Sequence, residues 1–139
     1  MQIGANEKRS IVDILRQDIP RLQAVYLFGS RHDGTATDGS DVDIAYLSDE
    51  TLGAVARWEI AQRLASALSC DVDLVDLRQT DTIFRYQILS KGTRIYGEGY
   101  GVESFETLAY SFYLRFQEER RPIVEAIIKR QSVSGGMHA

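Results

Sequence analysis

A single cysteine, Cys70, stands in the 139 residues. No internal disulfide can staple this fold, and the expected place of that thiol is among small buried hydrophobes. The two histidines, His32 and His138, lie in unrelated settings and give no zinc-ligand pattern. Long apolar runs are missing: no stretch approaches the roughly 18 residues of a membrane span, and the N-terminal MQIGANEKRSIVDILRQ lacks the apolar core of a secretory signal. The expectation is a cytosolic (cytoplasmic) protein. An excess of positive charge is missing too, with 16 Lys and Arg against 20 Asp and Glu and a net charge of −4. A sequence-independent nucleic-acid binder needs a basic patch to displace counterions from phosphates, so direct nucleic-acid binding is not expected. A polyanionic nucleotide could still be held through metal ions.

What remains is an ordinary globular composition, 44% hydrophobic and 26% charged, in a length that suits one domain with its own core. Residues from about Asn6 to Ile19 place Ile11, Ile14, Leu15 and Ile19 on one stripe and predict an amphipathic helix closed by Pro20. Two short apolar runs, Ala24 to Phe28 and Ile44 to Leu47, read as strands. A helix is expected from caps at Ser48 or Asp49 to about Leu68, with Leu52, Val55, Ala56, Ile60, Leu64 and Leu68 inward and Trp58 off that stripe. Asp71 to Leu77 predicts a third strand. A short helix capped by Thr80 or Asp81 follows, with Ile83, Phe84, Gln87 and Ile88 inside and Gly92 as its stop, and Thr93 to Tyr96 make a last strand.

After a glycine-rich joint, Gly97 to Gly101, a long helical segment runs from about Glu103 to Lys129, with Pro122 expected to kink or break it. Its Ile123, Val124, Ile127 and Ile128 extend an apolar stripe past the edge of a small domain, suiting either core packing or a partner chain. The expected division is a domain over residues 1–101, a helical segment over 102–131 packed on that domain or on a partner, and a disordered tail over 132–139.

The chemistry concentrates between the first two strands, in Gly29 to Asp43, GSRHDGTATDGSDVD. Gly29 lets the backbone approach a ligand, and Ser30 adds a hydroxyl and an amide where a helix would begin, a favourable place for phosphate oxygens. Asp41 and Asp43 stand two apart on a strand, so both carboxylates leave one face while Val42 and Ile44 pack on the other. Paired carboxylates repel unless a cation lies between them, and hard oxygen ligands suit Mg²⁺. A third acid is sought on the next strand, where Asp73 and Asp71 share a face and Asp76, opposite, reads as a turn residue.

Gly29-Ser30, ten intervening residues, then Asp41-x-Asp43 resembles the GSx10DxD signature of the DNA polymerase β-like nucleotidyltransferases. LFGSR...SDVDIAYL is similar to their minimal nucleotidyltransferase (MNT) branch, and VDLVDL...ILSKGTRIYGEG resembles the second half of such domains, extending the likeness over about Leu22 to Gly99. The resemblance implies an α+β (α/β) fold: a small mixed sheet with flanking helices, extended here by the C-terminal helical segment. It implies ATP as substrate and two Mg²⁺ ions held by Asp41, Asp43 and a third acid, assigned to Asp73 with Asp71 as competitor. Gly29 and Ser30 would hold the β,γ-phosphates, and Arg31 would neutralise phosphate charge or be a plain surface arginine. Free-standing MNT proteins of this size resemble the antitoxin of HEPN/MNT toxin–antitoxin pairs, which transfers AMP to a tyrosine of a HEPN-domain ribonuclease toxin in a hetero-oligomer. A small-molecule, aminoglycoside-like nucleotidyltransferase and an antitoxin acting by binding alone are the alternatives.

Overall fold

The computed structural model describes residues 3–29 and 41–138, with side chains beyond Arg120 described only at Ala126 and Ile127. Helix α1 spans Ala5–Asp18, and its buried Ile11 and Leu15 are the stripe the sequence predicts. Strand β1, Leu22–Phe28, is followed by β2, Val42–Ser48; helix α2, Ala54–Leu68, leads to β3, Val72–Asp76. Helix α3, Thr82–Lys91, precedes β4, Thr93–Tyr96, and helix α4 covers Tyr100–His138. The strands form one mixed sheet in the order β3-β2-β1-β4, antiparallel except for the parallel β2/β3 pair. A parallel pair needs a crossover, and α2 supplies it.

Strand alternation sorts the side chains into two cores. On the first face Val25, Leu27, Val42, Ile44, Tyr46 and Leu74 meet Ile11 and Leu15 of α1 and Ile60 and Leu64 of α2. On the second, Ala24, Tyr26, Ala45, Leu47 and Leu77 meet Ile88 of α3 and Val102 of α4. Polar contacts fix α4 to this second face. The Tyr26 hydroxyl donates to Glu106 Oε1 at 2.7 Å, and the Arg78 and Arg85 guanidinium groups lie 5.2 and 5.6 Å from the Phe105 ring centre. Among the described residues no helix is long and apolar enough to cross a membrane.

Several local expectations shift. Ser48 ends β2 instead of capping α2: its hydroxyl donates to the Pro20 carbonyl at 2.6 Å and accepts from Glu50 N at 3.1 Å, so α2 begins later, behind Gly53. Val55 is exposed, one position off the Ala56, Ile60, Leu64 row that faces the sheet, and Trp58 is exposed as well. Asp81 does cap α3, accepting from Phe84 N at 2.8 Å, yet only Ile88 of the four predicted inner residues is buried. Gly92 ends α3 at φ −81 rather than in the left-handed region. It is glycine because a Cβ there would stand 2.7 Å from the Leu27 carbonyl and 3.2 Å from Phe28 Cβ. Helix α4 continues through Pro122 without a break; proline removes one backbone donor from a helix without forbidding the turns on either side.

Candidate active site

Three strand ends build the site. Phe28 at the end of β1 is opposed to Asp43 near the start of β2, and Asp43 is in register with Asp73 near the start of β3. Cross-strand partners point the same way, so Phe28, Asp43 and Asp73 form a row on the second face, with neighbouring strands about 4.8 Å apart. Asp41 is exposed and immediately precedes β2; the strand begins at Val42, whose N–H donates to the Asp71 carbonyl at 2.9 Å and pins the start of β2 to β3. Asp71 and Asp73 are both exposed. Asp76 lies on the opposite face, buried, where its carboxylate accepts from Arg78 N at 2.9 Å in the turn that leaves β3.

Asp43 is the electrostatic centre of the row. Burial first, then the charges of Asp73 and Asp41, push its carboxyl from an ordinary 3.8 up to about 6. The backbone of Gly29 lies directly against this carboxylate: at φ +82, a Cβ built on Gly29 would stand 2.0 Å from Asp43 Oδ2 and 2.9 Å from Cγ. Any side chain there would both strain the backbone and displace the acid. Ser30 and Arg31, the other residues expected on the phosphates, lie outside the described residues.

The donor set suits a hard divalent cation: carboxylate oxygens of one sign, held close enough for two of them to raise the proton affinity of the third. Among the described residues no three acidic, histidine or cysteine side chains stand together as a formed metal-ligand set. The sequence predicts Phe84 as an inner residue of α3, but it is 36% exposed and meets Phe28 edge-to-face with ring centres 5.8 Å apart. Helical periodicity alone carries no signal that would separate it from Ile88.

Residues 9–99 match the family described as Polymerase beta, Nucleotidyltransferase. The chain belongs to this family of nucleotidyltransferases. It is 45% identical over 123 residues, 88% of either chain, to the protein adenylyltransferase MntA of Shewanella oneidensis. Its fold is similar to that in a crystal structure of a toxin–antitoxin with AMP-PNP (TM-score 0.79, 44% identity, covering 87% of this chain and 98% of that one). It is also similar to a chain of the tri-AMPylated S. oneidensis HEPN toxin in complex with MNT antitoxin (TM-score 0.74, 41% identity, covering 88% of this chain and 97% of that one).

Proposed function

We propose that this chain is an antitoxin that transfers AMP from ATP to a tyrosine hydroxyl of a cognate HEPN ribonuclease and so silences it, in the cytosol. The observation that carries the reading is the half-buried Asp43 set between Gly29 and Asp73, with its proton affinity raised by burial first and then by the neighbouring charges. At neutral pH a divalent cation carrying a phosphate relieves the charge of such a cluster. The relatives supply the acceptor class, since the similar chains include a protein adenylyltransferase and a partner of an AMPylated HEPN toxin.

In this reading Asp41, Asp43 and Asp73 hold Mg²⁺, two ions as the family resemblance implies. When bound, the metal neutralises charge at the α-phosphate and on the departing pyrophosphate. Gly29 would lie against the β,γ-phosphates, where a backbone without a side chain allows close approach, with Ser30 and Arg31 as the further phosphate contacts that the family resemblance implies. The acceptor oxygen forms a bond to the α-phosphorus, the bond from that phosphorus to the α,β-bridging oxygen breaks, and its electron pair leaves on pyrophosphate. The hydroxyl proton passes to Asp73, whose exposure leaves it open to the incoming acceptor. The partner's role is positional: docking turns a bimolecular encounter into an oriented one.

Incubating the purified chain and its HEPN partner with ATP and Mg²⁺ and weighing the partner intact should give a gain of one or more AMP units. The gain disappears when the partner's acceptor tyrosine is replaced by phenylalanine. No gain, or one that survives that replacement, would remove the acceptor assignment.

A further inference from the structure

Phe28 and Asp43 leave the second face side by side, and the Phe84 ring meets that of Phe28 edge-to-face with centres 5.8 Å apart. Phe84 is thus linked to the carboxylate row through Phe28. Beyond Phe84 opens a cleft of about 500 Å³ lined by Asp81, Thr82, Ile83, Phe84, Gln87 and Phe116. Leaving such a ring in water forgoes hydrophobic stabilisation, and its backbone is nevertheless held there by the 2.8 Å cap from Asp81. Gln87, one turn along α3, is exposed, and its side-chain amide makes no hydrogen bond among the described residues. Among the described residues no Lys or Arg lines the cleft, and the lining that is described suits an apolar ring better than a phosphate. An aromatic plate, aliphatic and aromatic walls and one free amide suit a planar heterocycle with a hydrogen-bonding edge.

We propose that this cleft takes the nucleobase of the nucleoside triphosphate, stacked on Phe84 and read at its edge by Gln87. The inference rests on the nucleotidyl-transfer reading of the carboxylate row. With the triphosphate at Gly29 and the α-phosphate at Asp43, the base would lie on the Phe28 side of the row, against Phe84. The Gln87 amide offers a donor and an acceptor together, as the edge of a purine does. Phe28 serves as the rigid backing of the plate, which explains why an aromatic ends the strand that delivers Gly29.

The test compares binding of ATP and of inorganic tripolyphosphate to the full chain with Mg²⁺, by calorimetry. Phe84→Ala should weaken ATP about tenfold, the loss of one base–aromatic stack, and leave tripolyphosphate unchanged. Phe84→Leu, which keeps apolar bulk for folding, should behave like Phe84→Ala, and Phe84→Tyr should restore ATP binding. Gln87→Leu should weaken ATP and leave tripolyphosphate unchanged. Equal loss of both ligands would overturn the proposal, because Phe84 would then act through Phe28 on the carboxylates. Unchanged ATP binding with impaired AMP transfer would also overturn it and give the cleft to the acceptor protein. A wild-type chain that binds neither ligand would instead remove the nucleotidyl-transfer reading beneath it, so the two failures separate.

Discussion

At the scale of single residues, Asp43 carries the strongest consequence. Its carboxyl holds a proton up to about pH 6 in the folded chain against 3.8 ordinarily, so between those values the folded state binds more protons than the unfolded one. Stability therefore falls as pH rises through about 4 to 6 and stays reduced above it. Asp43→Asn removes that penalty. In chelator at pH 7.5 the variant should melt above the wild type, the two should converge below about pH 4, and Mg²⁺ should raise the melt of the wild type only. Superimposable melts at pH 7.5 would mean that the carboxylates do not strain one another. The competing third acids separate by kinetics: Asp73 is in register with Asp43 and acts on its proton affinity, while Asp71 holds β2 through its backbone carbonyl. In single-turnover assays Asp73→Asn should slow the chemical step far more than it weakens ATP binding, and Asp71→Asn should do little. The opposite ranking would move the site along the strand.

At the scale of elements, α4 presents Leu108, Phe112 and Ile127 to solvent at 54%, 46% and 47% exposure. An isolated domain gains nothing from such a row, whereas a helical partner can bury it. Ile127→Glu should leave the melt of the free chain unchanged and weaken its complex with the HEPN partner about tenfold or more, read by titration calorimetry. A variant that unfolds the free chain would make Ile127 part of the core instead. The sequence stops being informative at this same scale. Strand alternation places Asp43 and Asp73 correctly because the pleat is set by the covalent chain. The start of α2 depends on the Ser48 hydroxyl finding a carbonyl 28 residues away, which no local pattern encodes. Phe84 illustrates the same limit, since periodicity assigns a helix face without saying whether a neighbour covers it. Asp41 differs more subtly: two-residue spacing puts it in line with Asp43, but β2 begins after it.

At the scale of the whole molecule, one sheet divides the labour. The first face, under α1 and α2, is a packed core around Tyr46 and Ile44. The second carries small residues, Ala24 and Ala45, beneath α3 and α4, and at its strand ends the carboxylates remain open. The acids thus leave the face that α3 and α4 cover, and under the proposed function a partner docked on α4 is also the substrate. The direct measurement is label transfer to the HEPN partner from ATP labelled at either the α- or the γ-phosphate, with Mg²⁺, using wild type and Asp43→Asn. The predicted result is α-label on the partner with stoichiometric pyrophosphate release, no γ-label, and neither product with Asp43→Asn. Transfer of γ-label, or α-label that persists in Asp43→Asn, would contradict nucleotidyl transfer at this row of carboxylates.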